Sequence, residues 1–160
     1  MVRYGDFMKI STKGRYGLRA MVDFAVHGED GFVTLRSVST RQGIPEGYLE
    51  QIVATLKKAG FVKSTRGAQG GYLLNVDPNK TTALDILTAT EGSLYPVECV
   101  AEEESNCSCC VCSCSTCVTK PIWQQLYNSM SNVLKNITLS DLAKDYINEH
   151  IQKIGDDNDE

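Results

Sequence analysis

Residues 45–72 read PEGYLEQIVATLKKAGFVKSTRGAQGGY, and this stretch decides the fold. A proline opens it, which a helix tolerates in its first turn because proline lacks only an amide that would be unpaired there. Apolar residues then recur at helical spacing and predict a buried stripe of Leu49, Ile52, Val53 and Leu56. The helix ends at Gly60, and two short strands, residues 61–64 and 72–75, surround a loop with three glycines. The stretch therefore predicts a helix followed by a tight basic hairpin.

Two further helices are predicted before this stretch. Ser11 or Thr12 can cap the first, because a short hydroxyl accepts from the unpaired amides of a first turn. The apolar stripe of that helix is Leu18, Met21, Val22 and Ala25. Thr34 caps a second helix over residues 35–42, and Gly43 supplies the turn into the third. Two helices separated by one glycine and followed by a glycine-rich hairpin are typical of a winged helix-turn-helix.

The sequence after the hairpin predicts helices on both sides of a cysteine-rich loop. Thr82 begins a helix that ends at Gly92, and Pro121 opens a long helix. The apolar row of the long helix is Ile122, Leu126, Met130, Val133, Leu134 and Ile137. A last helix restarts at Thr138 and runs to Ile151. From the residues alone, the long helix packs on its own domain.

Charge is distributed unevenly over the 160 residues, although 42% hydrophobic and 22% charged residues suit one ordinary globular domain. Residues 1–66 carry eleven lysines and arginines against six acidic residues, while the remainder carries five against fourteen. A basic first part on a chain of net charge −4 favours a nucleic-acid surface confined to that part. The alternative is an ordinary solvated face. Neither an apolar run of membrane length nor a secretory signal pattern is found, so we expect a cytoplasmic protein without membrane contact.

The predicted third helix and hairpin carry side chains that suit DNA. A helix fits the major groove, where the Glu50 carboxylate can accept from cytosine and the Gln51 amide can pair with adenine. Arg66 in the hairpin loop suits the negative potential of a minor groove. The candidate DNA contacts are Thr12, Lys13, Glu46, Tyr48, Glu50, Gln51, Arg66, Gly67 and Gln69. The alternative is that Glu50 and Gln51 are merely solvated and that Tyr48 packs in the core.

All seven cysteines lie between Cys99 and Cys117. An odd number in one short loop, without a secretion signal, argues against a disulfide framework. Closely spaced thiols in a reducing compartment favour metal ligands. No Ser/His/Asp arrangement, phosphate-binding loop or dinucleotide fingerprint is found, so we do not expect an enzyme.

Three stretches resemble the IscR/NsrR/CymR (Rrf-type) family of bacterial transcription regulators, closest to its iron–sulfur branch. They are residues 8–18 (MKISTKGRYGL), 48–51 (YLEQ) and 60–72 (GFVKSTRGAQGGY). The likeness covers about residues 8–145 and begins at Met8, which makes Met8 an alternative start. It implies a mainly α fold with a small β-hairpin wing, a homodimer formed through the long helix, and a pseudo-palindromic double-stranded DNA operator.

The resemblance also implies an iron–sulfur cluster, expected to be [2Fe-2S]. Cys99 and Cys117 stand where the family's outer ligands lie, and the middle ligand would align near Val111. Cys110 or Cys112 must therefore substitute for it. The family's histidine ligand corresponds to Lys120, so Cys114 is the candidate fourth ligand. Zinc, copper(I) or redox thiols without metal remain alternatives.

The resulting hypothesis is a DNA-binding transcription regulator that senses cluster or redox status. The alternatives are a CymR-type repressor of cysteine metabolism, which needs a partner protein of sulfur metabolism but no cluster, and a metal-storage protein. The predicted organisation is a leader at residues 1–8, a winged helix-turn-helix domain at 9–92, a cysteine-rich loop at 93–120, dimerisation helices at 121–151 and an acidic tail at 152–160.

Overall fold

The computed structural model describes residues 10–29, 31–67, 69–101 and 117–156, the last six by their backbone. The leader at residues 1–8 and the cysteines at 107–114 lie outside the described residues. The elements in chain order are α1 (Thr12–His27), α2 (Leu35–Gln42), α3 (Glu46–Lys58), β1 (Val62–Thr65), β2 (Gly71–Leu74), α4 (Ala83–Glu91), α5 (Glu98–Ala101), α6 (Lys120–Lys135) and α7 (Leu139–Asp156). None of the described helices is both long and apolar enough to cross a membrane.

Short hydroxyl side chains begin most of these helices, as predicted. Ser11 accepts from the Gly14 amide at the start of α1, and Thr34 accepts from the Ser37 amide at the start of α2. Thr82 forms a reciprocal capping box with Asp85 at the start of α4. These caps satisfy first-turn amides that have no partner inside the helix.

The hairpin pairs β1 with β2 in antiparallel register, with Val62 opposite Leu74 and Thr65 opposite Gly71. The predicted strands were therefore displaced by one residue. An isolated bridge adds Val33 to the free side of β2: the Val33 amide donates to the Tyr72 carbonyl at 2.9 Å, and the Tyr72 amide donates back at 2.8 Å. This bridge anchors the hairpin to the segment between α1 and α2.

The core lies where α1 crosses α2, α3, α4 and α7. The predicted stripe of α3 is confirmed, since Leu49, Ile52, Val53 and Leu56 are fully buried. The predicted stripe of α1 is partly wrong. Leu18 and Ala25 are only half-buried, whereas Ala20 and Phe24 are fully buried. Because α1 has neighbours on several sides, its buried arc is wider than one stripe.

Helix α6 lies beside this body rather than in it, and none of its residues is buried in the protomer. Backbone hydrogen bonds fix its end: the Ala83 amide donates to the Ile137 carbonyl at 2.9 Å, and the Leu139 amide donates to the Thr81 carbonyl at 2.8 Å. Helix α7 then returns to α1 and buries Leu139. It extends to Asp156, so its predicted end at Ile151 was too early.

Candidate DNA-binding face and cysteine segment

One side of α3 is open to solvent along its length. Its exposed residues include Glu46, Gly47, Glu50, Gln51, Ala54 and Lys58. Burial of the opposite stripe leaves α3 with one orientation in the domain. The helix therefore presents a polar face of the kind that reaches base edges in a major groove.

Tyr48 has the packing role that was considered for it. Its ring is half-buried against the core and meets the Tyr16 ring edge-on, with centroids 5.9 Å apart. The Arg19 guanidinium lies 5.7 Å from the centroid of Tyr16 on the same surface. The ring of Tyr48 is thus a packing element, and a phosphate contact by its hydroxyl stays a prediction.

The hairpin of β1 and β2, which we call the wing, presents Arg66, Gly67 and Gln69 of its turn to solvent. Gly67 has a φ of 120°, a backbone conformation that favours glycine. The Lys57 ammonium at the end of α3 donates to the Ser64 hydroxyl in β1 at 2.6 Å. This contact fixes the base of the wing beside α3.

The N-terminus of α1 supplies the third group of candidate contacts, the exposed Thr12 and the half-buried Lys13. Its cap is supported from another helix. Glu91, the last residue of α4, accepts from the Ser11 amide at 3.0 Å and from the Ser11 hydroxyl at 2.8 Å through the same Oε1. Sequence reasoning missed this contact, because it joins residues 80 positions apart.

A buried carboxylate behind the helix-turn-helix was also missed. Asp23 is fully buried in α1, and Arg41 donates to its two oxygens at 3.0 and 2.6 Å. The side-chain amide of Gln42 donates to Asp23 at 3.0 Å, while Arg19 donates to the Gln42 carbonyl. The hydrogen bond with Asp23 raises the pKa of the Arg41 guanidinium. The one available signal was an acidic residue inside the apolar run of α1.

The first part of the predicted cysteine-rich loop contains a short helix. Residues 98–101 form α5, where Cys99 is buried and packs toward α6. The Tyr95 ring packs at a tilt against the Tyr127 ring of α6 with centroids 4.4 Å apart, and a hydrogen bond with Tyr127 raises the pKa of the Tyr95 phenol. This start of the segment is therefore held on α6.

The outer candidate ligands stand at the two borders of the undescribed stretch. Cys99 precedes it, and the half-buried Cys117 follows it with its sulfur 3.3 Å from the Thr119 hydroxyl. Lys120, at the position of the family's histidine, is the first residue of α6. Cys110, Cys112 and Cys114 lie outside the described residues, and the residues that are described bring no three potential metal ligands together.

The two histidines are not brought into a ligand group. His27 lies in the last turn of α1, and its buried Nε2 has no hydrogen-bond partner among the described residues. His150 stacks on Tyr146 at 4.0 Å between centroids, and its Nδ1 lies 2.8 Å from the Tyr146 carbonyl oxygen.

A helix-turn-helix with an attached hairpin, carrying an exposed recognition helix, defines a winged-helix protein of the transcription-regulator class. Residues 10–145 match the family model Rrf2, described as an iron-dependent transcriptional regulator. The chain belongs to the Rrf2 family of transcriptional regulators, and it is a regulator rather than an enzyme.

Two curated relatives represent different branches of this family. The regulator CymR of Bacillus subtilis is 40% identical over 136 residues, which cover 85% of this chain and 90% of the relative. The regulator IscR of Yersinia pseudotuberculosis is 38% identical over 149 residues, which cover 93% of this chain and 85% of the relative.

Solved structures similar to this chain also include both a CymR and an IscR. The structure of CymR, called the global cysteine regulator of B. subtilis, superimposes with a TM-score of 0.69 at 40% identity, covering 85% of this chain and 96% of that one. The structure of T. potens IscR gives a TM-score of 0.68 at 43% identity, covering 86% and 88%. The predicted fold, mainly α with a β-hairpin wing, is therefore confirmed.

Proposed function

We propose that this chain binds a pseudo-palindromic DNA operator as a homodimer, and that an iron–sulfur cluster held by its cysteine segment controls the binding. The exposed face of α3 reads base edges, while the wing and the N-terminus of α1 contact the backbone. Each of these groups is exposed or half-buried on an element that packs against its neighbours. The basic charge of residues 1–66 supports the same surface.

The observation that carries the regulatory part is the position of Cys99 and Cys117. Cys99 lies on α5, which packs on α6, and Cys117 lies three residues before α6 begins. Helix α4, on the other side of Cys99, packs directly on α1 and α3. A group bound by both cysteines would therefore join the DNA-binding body to the long helix.

The donor set fits an iron–sulfur cluster. Thiolates are the ordinary ligands of such clusters, and seven cysteines between residues 99 and 117 exceed the four that one cluster needs. We infer that Cys99 and Cys117 hold it together with Cys110, Cys112 and Cys114 as candidates for the remaining positions. When bound, the cluster would supply a redox-sensitive link; Cys99 itself contributes a thiol already buried beside α6.

A second candidate is a regulator of cysteine metabolism that acts through a partner protein without a cluster. The similarity to the regulator CymR favours it. The cysteine segment favours the first candidate, because a regulator without metal has no need of seven thiols in nineteen residues. Zinc bound by the same thiols is the third outcome that the experiment separates.

Anaerobic purification with quantified iron, sulfide and zinc tests the proposal. We expect iron and sulfide in the wild type, and loss of the chromophore in Cys99→Ser and Cys117→Ser. Cys107→Ser and Cys109→Ser are the matched controls and should keep it, because these residues correspond to no family ligand. Cys110→Ser, Cys112→Ser and Cys114→Ser should give graded losses, since neighbouring thiols can partly replace one another.

Operator affinity is measured on the same samples by fluorescence anisotropy, with a duplex obtained by selection in vitro. We expect the Kd to change with cluster loss and to stay constant in the controls. Full iron and sulfide in the Cys99→Ser, Cys117→Ser double variant would refute the ligand set. Stoichiometric zinc without sulfide would favour the zinc regulator, and wild-type operator binding without any metal would favour the cluster-free regulator.

A further inference from the structure

Glu91 occupies an unusual position between two parts of the molecule. It is the last residue of α4, and Gly92 with a φ of 82° then turns the chain toward Cys99. Its carboxylate reaches across to α1, where Oε1 accepts both from the amide and from the hydroxyl of Ser11. A single side chain thus touches the helix that leads into the cysteine segment and the helix that carries Thr12 and Lys13.

Two glycines in α1 make room for this contact. A Cβ added to Gly14 would lie 2.1 Å from Oε1 of Glu91, and a Cβ added to Gly17 would lie 2.7 Å from the Thr90 side chain. Both distances are too short for real atoms, so an added methyl group would displace the Glu91 carboxylate at Gly14 and the Thr90 side chain at Gly17. The sequence of α1 is therefore adapted to the close approach of Glu91.

The contact also orders the first turn of α1. The Ser11 hydroxyl donates to Glu91 and accepts from the Gly14 amide at 3.3 Å, so the carboxylate orients the cap of the helix. Thr12 and Lys13 follow directly, and the Thr12 hydroxyl accepts from Arg15 at 3.3 Å. Where these side chains can meet a phosphate depends on where that first turn is held.

We propose that Glu91 is a positioning residue for DNA binding. It holds the N-terminus of α1 so that Thr12 and Lys13 contact a phosphate, and it ties that contact to the end of α4 from which the cysteine segment departs. The proposal rests on the proposed function, because it takes Thr12 and Lys13 as DNA contacts. A shift of α4 would then move a phosphate contact directly.

Two substitutions of Glu91 separate its hydrogen bonds from its charge. Glu91→Gln keeps an acceptor oxygen and removes a negative charge near the phosphates, so it should bind DNA at least as tightly as the wild type. Glu91→Ala removes the acceptor, and we expect its Kd to exceed that of Glu91→Gln by fivefold or more. The slope of log K against log salt for Glu91→Ala should be smaller than that of Glu91→Gln by about one, because one phosphate contact is lost.

A third variant tests the same contact from the opposite side. Gly14→Ala adds a methyl group where Oε1 lies, and alanine favours a helix, so α1 should remain folded while the carboxylate is displaced. It should reproduce the reduced salt slope of Glu91→Ala. The double variant Gly14→Ala, Glu91→Ala should show no further loss of DNA affinity or of salt slope. Glu149→Ala, an exposed carboxylate on α7, is the control and should keep the wild-type slope.

Thermal unfolding of each variant checks that the folded protein is being compared. Equal Kd and equal salt slope for Glu91→Ala and Glu91→Gln would overturn the positioning role. The link to the cysteines is tested by adding Cys99→Ser: its effect on Kd should fall toward zero in the Glu91→Ala background, and an unchanged effect would overturn the link. If Cys99→Ser has no effect even in the wild type, the proposed function fails, while the salt slope still decides the role of Glu91.

Discussion

At the scale of single residues, Asp23 is the most consequential polar group in the described part of the core. It is fully buried, and its charge is met by Arg41 and by the amide of Gln42. Both partners stand at the end of α2, directly before the turn into α3. The carboxylate therefore determines how α2, and through it the recognition helix, is attached to α1.

We expect Asp23→Ala to lower the free energy of unfolding by about 2 kcal/mol, because it leaves the buried Gln42 amide without its carboxylate partner and removes the acceptor of the partly exposed Arg41. Urea denaturation measures the change. The matched control is Lys80→Ala, which removes the exposed partner of Asp77 at 3.7 Å and should leave the free energy of unfolding nearly unchanged. Equal losses in the two variants would contradict the structural role given to Asp23.

Gln51 and Arg66 should affect DNA binding in different ways. Gln51 lies on the exposed face of α3, so Gln51→Ala should alter the preference among bases and cost about 1–3 kcal/mol on the best operator. Arg66→Ala in the wing should weaken binding to most sequences and reduce the salt dependence. Binding measured on an operator and on single-base variants distinguishes the two effects. Lys144→Ala on α7 should change neither, and unaltered binding in both test variants would mean that the assigned face is wrong.

At the scale of elements, the attachment of the wing depends on Gly71. A Cβ at this position would lie 2.7 Å from the carbonyl oxygen of Val33, which accepts from the Tyr72 amide. Because the obstacle is backbone, the bridge between β2 and Val33 would have to open. The wing is thus placed by a close contact between two backbones and not by its own two strands alone.

Gly71→Ala is expected to lower the free energy of unfolding by about 1–3 kcal/mol through this overpacking. Gly47→Ala is the matched variant. Nothing lies within 4 Å of its added Cβ, and it stands on the exposed face of α3, so it should raise stability by about 1 kcal/mol. Thermal unfolding compares the two, and a tolerated Gly71→Ala would show that the bridge is not needed to hold the wing.

At the scale of the whole molecule, α6 carries an apolar edge that the described part of the chain does not cover. Ile122 and Val133 are 60% and 61% exposed, while Tyr127 on another side of the helix packs on Tyr95. The row predicted from the sequence is therefore divided between contact with the same chain and solvent. A second copy of α6 would cover the exposed part and join two recognition helices.

We expect Ile122→Glu with Val133→Glu to give monomers, because association would bury two unpaired carboxylates. Both side chains are already exposed in the protomer, so the variant should still fold. Sedimentation at about tens of micromolar compares it with the wild type. Asn128→Glu with Asn132→Glu adds the same two charges at exposed polar positions and should remain dimeric. A monomeric wild type would refute the dimer.

The sequence by itself determined the helices, their caps and the buried side of α3, because each depends on residues within one or two turns of one another. It also determined the exposed face that bears Glu50 and Gln51, since that face is the complement of the buried stripe. The wing could be predicted from its glycines, although its two strands lie one residue nearer the turn than predicted. The bridge that attaches β2 to Val33 had no local signal in the sequence.

Only the tertiary structure decided which polar groups meet. The contacts of Asp23 with Gln42 and of Glu91 with Ser11 join residues 19 and 80 positions apart, and no local period records such a distance. Tertiary packing also decided that Phe24 is buried and that Cys99 lies under α6, because burial depends on how many elements surround a residue. The periodicity of apolar residues predicts one buried face of one helix, whereas the burial of Phe24 and Cys99 depends on how several helices cross.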